Sequence, residues 1–461
     1  MAILAAYAMP HPPLAVPGVG RGQEKGISDT LAAFDEAAGE IAGFEPEAIV
    51  FITPHNVNYS DYFHISPGKS ANGDFKRFMD GNTRLETLYD EEMAAEIARL
   101  ASRDGIPAGG KGERDPSLDH GVTVPMWFIN RRYENYKTVR ISQSGLDSAD
   151  HYKLGRIIAE ASESLGRRTV LIASSDMSHK LKHDGPYGYA PEGPEFDALF
   201  AQTMSDGDFL GLLKIPEALR QGAAECGYGS LVVLAGCFDR REVEARLLSY
   251  EGPFGVGYAV AAFVPGEFDE SRNMLDQYEE ISLAEAQGMK SAEDDYRSLA
   301  RRSLEFTVMG GGELPLPGGL PDEMLKKRAG VFVSLHKNGR LRGCIGTISP
   351  TAENVAEEIV QNAVSAGLKD PRFEPVAESE LPYLTYKVDV LSAPEPISGP
   401  EELDVKRYGV IVSSGFKRGL LLPNLEGVDT VEEQIAIARQ KAGISENTPL
   451  KLERFEVIRH E

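Results

Sequence analysis

Three short apolar runs, each followed closely by a histidine, constrain this chain more than any other feature. Ile3–Met9 precedes His11, Ala48–Thr53 precedes His55, and residues 169–173 precede Ser174-Ser175-Asp176-Met177-Ser178-His179. Apolar runs of this length read as buried strands. In open α/β sheets ligands bind beyond the carboxyl ends of the strands, so three imidazoles on that rim point to a metal or acid–base site. His11 stands in Met9-Pro10-His11-Pro12-Pro13 and His55 in Thr53-Pro54-His55-Asn56. Proline fixes φ and removes a backbone donor, which stiffens the loops that carry both rings.

Up to residue 264 strand-like runs alternate with helical patterns at 27–41, 91–101 and 151–161, and the spacing predicts α/β layering, a sheet sandwiched by helices. A last strand at 255–264 is followed by the polar, acidic stretch 265–289, which reads as a linker. Residues 290–461 form a second mixed α/β domain, with helical spacing at 292–308, 352–368 and 431–442 and strand-like runs at 331–335 and Leu384–Leu391. A chain of 461 residues is long enough for two or three cores.

A formal net charge of −23, with no block of Lys and Arg to offset it, opposes phosphate backbones and anionic membranes, so neither nucleic acid nor a membrane is an expected partner. The start Met1-Ala2-Ile3-Leu4 has no positive n-region, and a cytoplasmic location is expected. Cys226, Cys237 and Cys344 are too few and too scattered for a disulfide framework or a Cys-rich zinc module. An oligomer is compatible with all of this.

Two histidines need a third donor. Non-haem Fe(II) oxygenases use two His and one carboxylate, and Glu225 in Ala223-Ala224-Glu225-Cys226-Gly227-Tyr228-Gly229 is the best candidate. Its structural alternative is a helix-terminal charge ahead of the apolar run 231–235. Cys226 is the alternative third ligand, a softer thiolate suited to copper, zinc or iron. His179 is a candidate acid–base group, against a capping or core role after the serine pair. Asp119-His120-Gly121 reads either as a substrate contact or as a turn before a strand at 122–124. Asp176 orients His179 or caps a turn. Trp127 and Phe128 favour core packing over an aromatic wall, and His64, His151 and His183 have no companions and are expected at the surface.

The ordered set Met9-Pro10-His11-Pro12, Thr53-Pro54-His55, Asp119-His120-Gly121, Ser174 to His179 and Glu225-Cys226-Gly227 resembles the class III extradiol ring-cleavage dioxygenases of the LigB type over residues 1–264. That resemblance implies Fe(II) held by His11, His55 and Glu225, His179 as acid–base residue, His120 near a catecholic substrate, and O₂ as co-substrate. The same residues resemble the Memo branch, where a Cys takes the third ligand position and ring cleavage does not follow. Copper and zinc are the alternatives to Fe(II).

In the second domain Gly339-Arg340-Leu341-Arg342-Gly343-Cys344-Ile345-Gly346-Thr347 stands out. A tight turn presenting Cys344 and free N–H groups would bind an anion, while a β-hairpin with a buried Cys is the preferred reading because no His base accompanies the thiol in sequence. Together with Asp370-Pro371-Arg372-Phe373 and Tyr408-Gly409-Val410, the run resembles the AMMECR-type domain. The pairing of both resemblances in one chain is similar to proteins of AmmeMemoRadiSam systems, which implies a radical-SAM partner. The expected function is an Fe(II)-dependent ring-cleaving dioxygenase acting on a catechol or related phenolic. The alternatives are a Memo-like metal-binding redox or partner protein, and a non-oxidative metallohydrolase or lyase.

Overall fold

A computed structural model describes residues 2–425, 427–445 and 448–461. The chain divides into two compact units between Glu279 and Glu280. Each has an α/β architecture.

The first unit is built on six strands: β1 (Ile3–Met9), β2 (Ala48–Thr53), β3 (Lys137–Ser142), β4 (Thr169–Ser174), β5 (Arg241–Glu251) and β6 (Tyr258–Phe268), in the spatial order β3-β2-β4-β1-β6-β5. The first four of that order run parallel, and β6 and β5 close the sheet antiparallel. β2 and β4 are buried along their whole length and β1 at all but one residue, as continuous apolar runs require in a sheet covered on both faces. Alternation along each strand feeds two cores. Ala6, Ala8, Val50, Ile52, Leu171 and Ala173 face one side; Tyr7, Met9, Ile49, Phe51, Val170 and Ile172 face the other.

Helices α1 (Ser28–Phe44), α2 (Glu91–Arg103), α3 (His120–Asn130), α4 (Ser148–Ser164), α5 (Glu192–Asp206) and α6 (Tyr228–Gly236) cover the two faces. Phe34 and Ile41 of α1 and Val122 and Ile129 of α3 close one core; Met93 of α2, Leu154 of α4, Phe196 of α5 and Leu231 of α6 close the other. Register sets the functional edge. Met9 pairs with Ser174, and Thr53 pairs with Ser142, so β1, β2, β3 and β4 end at one rim.

Three sequence expectations change. The supposed linker 265–289 is mostly ordered secondary structure, because β6 runs to Phe268 and α7 (Met274–Ser291) follows, with Leu275 and Tyr278 in the core of the first unit. Residues 122–124 are helical, not a strand, since they belong to α3. His64 and His151, expected at the surface, are buried, and the His151 ring pairs with the Asp147 carbonyl and the Ser144 N–H. Phe128 keeps its expected core role, packing on Phe34 with ring centroids 4.4 Å apart.

The second unit carries β7 (Val331–Lys337), β8 (Arg340–Gly346), β9 (Leu384–Leu391), β10 (Glu395–Ile397), β11 (Gly409–Ser414), β12 (Lys417–Leu421), β13 (Lys451–Phe455) and β14 (Val457–His460). They form two antiparallel sheets, ordered β8-β7-β9-β14 and β10-β13-β11-β12. Helices α8 (Asp295–Val308) and α9 (Val355–Leu368) pack on the first sheet, and α10 (Val431–Lys441) on the second. Asn338 and Gly339, both at positive φ (52° and 78°), join β7 to β8 in the two-residue turn that strand twist favours. Among the described residues no helix is long and apolar enough to cross a membrane.

Where α4 crosses α6 the backbones touch. A Cβ on Gly155 would stand 2.0 Å from the Val233 carbonyl oxygen, and one on Gly236 would stand 2.0 Å from that of Tyr152. Backbone cannot yield as a side-chain tip can, so Gly155→Ala should lower unfolding stability by about 3 kcal/mol, read from denaturant midpoints of the full chain. A loss within experimental error would mean that the helices separate freely.

Candidate metal centre

At the rim of the parallel strands, stiff loops deliver three donors. His11 follows β1, His55 follows β2, and Cys226 lies in the turn before α6. His11 Nε2 is 2.9 Å from His55 Nε2 and 3.5 Å from Cys226 Sγ, and one donor atom from each of the three residues falls within 4.8 Å of the others. Gly227 lets that turn approach β4, because a Cβ there would stand 2.5 Å from Ser175 Cβ. His11 is buried, Cys226 half-buried, and His55 opens to solvent.

Hydrogen bonds orient the donors. Ser174 Oγ donates to the Gly121 carbonyl at 2.6 Å, so at 2.8 Å it accepts from His11 Nδ1–H and leaves Nε2 as a lone pair facing the cluster. Asp176 Oδ1 accepts the His11 backbone N–H at 2.7 Å, and its other oxygen is 3.8 Å from His11 Nε2. Asp176 therefore serves His11, not His179. Burial pushes its carboxyl up to about 7.

Two further imidazoles complete the cluster. His120, the first residue of α3, stacks on His55 with centroids 4.0 Å apart and meets the edge of Phe78 at 5.3 Å. His179 Nε2 lies 3.9 Å from Cys226 Sγ, and its ring stacks on Tyr187 at 5.1 Å. A cavity of about 690 Å³ opens on His55 and His120, between Asn56, Asn72, Phe78 and Arg114. A larger groove of about 1060 Å³, along Asn72, Leu88 and Tyr136, contains none of the converging donors.

Glu225 stands apart from the converging donors. Its carboxylate accepts the Tyr228 N–H at 2.7 Å at the start of α6 and is not among the atoms that converge. It satisfies a helix terminus while its neighbour Cys226 turns inward. Sequence reasoning also missed Tyr187, which has no spacing signature, and Arg140, buried on β3.

The charge states suit a cation. Burial, reinforced by neighbouring imidazoles, holds His11 far below the usual imidazole range. Enclosure lowers His55 and His179 and brings His120 to about 4. Burial drives the Cys226 thiol well up, and the nearby Asp176 and Glu225 carboxylates add to this. The imidazoles are thus neutral and ready to ligate, while the thiolate needs a positive partner to form. These residues fit a metal ion.

A family model described as the catalytic LigB subunit of aromatic ring-opening dioxygenase matches residues 5–261. The chain belongs to the LigB family. Behind the LigB domain, an AMMECR1 model matches residues 297–460, so the chain is a LigB and AMMECR1 fusion. A Clostridium acetobutylicum protein is 42% identical over 468 residues, spanning 100% of this chain and 99% of its own. A Thermotoga maritima protein is 51% identical over 170 residues, 36% of this chain and 98% of its own. An uncharacterized Pyrococcus horikoshii protein of known crystal structure is 34% identical, over 36% of this chain and 88% of its own, with a TM-score of 0.33. None of the three names carries an activity.

In the AMMECR1 domain Cys344 sits within β8, not in a turn. Its Sγ accepts from Ser334 Oγ at 3.2 Å, its N–H donates to Asp370 at 2.9 Å, and Arg372 pairs with that same carboxylate at 2.7 Å. Arg342 is committed to Glu380 at 2.8 Å. Burial raises the Cys344 thiol, against the thiolate that an anion-binding turn would favour.

Metal binding to the LigB domain should release the thiol proton and none from the imidazoles. Affinity for Zn(II) is then expected to rise about tenfold per pH unit between pH 5.5 and 8, by competition titration against a chromophoric chelator. The Cys226→Ser variant should bind far more weakly and keep only the shallower slope below pH 7 that the Asp176 carboxyl supplies, whereas Glu225→Gln should keep both affinity and slope. Unchanged binding in Cys226→Ser would remove the thiol from the centre.

Proposed function

We propose that the LigB domain is a redox metal centre in which His11, His55 and Cys226 hold copper. The observation that carries this reading is the Cys226 sulfur in the third donor position, with Glu225 turned to the start of α6. Two imidazoles and a thiolate form a softer set than two imidazoles and a carboxylate, and they match copper better than the Fe(II) of the ring-cleaving oxygenases. A bound copper ion supplies one-electron chemistry. Around it, Ser174 fixes the His11 tautomer, Asp176 anchors the His11 loop, and His179 stands beside the sulfur as a neutral base that can accept a ligand proton.

The second reading is ring cleavage of a catechol with iron and O₂, supported by membership of a family described by aromatic ring opening. There His120 and Phe78 would lie against the substrate ring, and His179 would move the proton. A radical-SAM protein is the partner class proposed for the fusion, with a cytoplasmic location.

The deciding experiment loads the full chain separately with Cu(II), Fe(II) and Zn(II), then follows the sulfur-to-metal charge-transfer band, reversible reduction, and O₂ uptake with a panel of catechols. The copper reading expects one ion per chain, a band that vanishes in Cys226→Ser, and reversible one-electron cycling without catechol turnover. A ring-opened product from iron-loaded protein, abolished by His179→Ala, would replace it with the second reading. Retained metal with neither redox cycling nor O₂ uptake would leave a non-oxidative metallohydrolase or lyase.

A further inference from the structure

Among the described residues Arg140, on β3, is the one arginine with a buried side chain. Its Nε donates to Ser66 Oγ at 2.7 Å and its Nη1 to the Ser117 carbonyl at 2.6 Å. Glu113 and Asp119 each place a carboxylate oxygen 3.6 Å from it. Removing an arginine and its counter-charges from water costs several kcal/mol, and apolar replacements of such clusters are often no less stable. Stability alone does not explain a buried cation here. Its contacts offer another reason.

Asp119 immediately precedes His120, and its Oδ1 accepts from Thr53 Oγ1 at 2.6 Å. Thr53 Oγ1 in turn accepts the His55 backbone N–H at 3.2 Å. A path of one guanidinium, one carboxylate and one hydroxyl thus joins β3 to the loop carrying His55 and to the helix start carrying His120. The remaining Asp119 oxygen, both Glu113 oxygens and His64 Nε2 are buried without a hydrogen-bond partner. The Arg140 charge is what offsets the desolvation of these carboxylates.

We propose that Arg140 is a positioning residue for the metal centre: acting through Asp119 and Thr53, it holds the His55 loop and the His120 ring in register with His11 and Cys226. The inference rests on the reading that His11, His55 and Cys226 hold a metal. Nothing in it requires a particular metal or substrate. The oriented loop is what keeps His55 Nε2 aimed at His11 while the ring remains open to the cavity.

The test uses the full chain and four variants: Arg140→Gln, Thr53→Val, Thr53→Ser, and the double variant Arg140→Gln with Thr53→Val. Thr53→Val removes the hydroxyl at nearly constant volume, and Thr53→Ser keeps it. Zn(II) affinity should fall about 10–100-fold in Arg140→Gln and in Thr53→Val, as loss of a supporting hydrogen bond behind a ligand does elsewhere. Thr53→Ser should stay within about threefold of the parent, and the double variant should be no weaker than the weaker single one, as for residues on one path. The Cu(II) charge-transfer band should shift with the same pattern. Should Arg140→Gln fail to fold, the Thr53→Val and Thr53→Ser pair decides. Parent-like affinity and band in Thr53→Val, whatever happens to its melting temperature, would overturn the proposal. If the parent chain binds no metal, the metal reading fails on its own account. The imidazole nitrogen and proton resonances of His55 and His120 in the metal-free chain then decide: displacement by Thr53→Val and restoration by Thr53→Ser support positioning, and no displacement refutes it.

Discussion

Everything at the candidate metal centre depends on the parallel alignment of β1, β4 and β2. Met9 lies across from Ser174, and Ile52 across from Ala173, so the chain leaves these strands at one edge and on one level. Side chains on a strand alternate faces, and a one-residue slip would turn the apolar set of each strand to the wrong core. The two hydrophobic layers therefore fix the register, and the register fixes where His11, His55 and Cys226 meet. Prolines at 10, 12 and 54 then limit how far the loops can stray. Core packing and ligand geometry are one constraint seen at two distances.

The electrostatics of the cluster follow from that placement. Four imidazoles, a thiol and a buried carboxyl share a partly dry edge, where burial disfavours each charged form. Without a cation the stable arrangement is a neutral one, with His55 and His11 sharing a hydrogen bond between their Nε2 atoms. A divalent ion held by His11, His55 and Cys226 would replace that proton-mediated contact and stabilise the thiolate. Site and metal are coupled, so occupancy should influence how firmly the three loops hold their places.

Much of this was legible in the sequence, and what was not has a physical cause. The central strands were readable as continuous apolar runs and the other elements by period: Leu384–Leu391 has apolar residues at 384, 386, 388 and 390, and the 91–101 pattern sits on Glu91–Arg103 with Asp90 as its cap. His11 and His55 were readable because they follow buried runs. The choice between Glu225 and Cys226 was not, since adjacent residues in a non-helical turn point in different directions, and only the start of α6 at Tyr228 shows which one has a backbone donor to satisfy. Arg140 was hidden for a related reason. A charged residue in a strand reads as solvent-facing, and its partners at 66, 113, 117 and 119 are remote in sequence. The segment 265–289 looked like a linker because its acidic surface outnumbers the two residues, Leu275 and Tyr278, that bury into the first core.

A thiolate and a carboxylate each bring one negative charge, so exchanging one for the other leaves the net charge around a divalent ion unchanged. Steering, desolvation and the effect on His120 and His179 would be much the same with Glu225 or Cys226 turned inward. What changes is polarizability and the proton that must leave. Burial raises a carboxyl here as well, but it loses its proton more readily than the buried thiol, and sulfur shares electron density with copper or iron to a degree that oxygen does not. The local fold at Glu225-Cys226-Gly227 therefore selects the chemistry without altering the electrostatic frame. On the proposed reading, which of these two neighbours accepts the Tyr228 N–H sets whether oxygen or sulfur faces His11 and His55, while the sheet, the histidines and the cavity stay as they are.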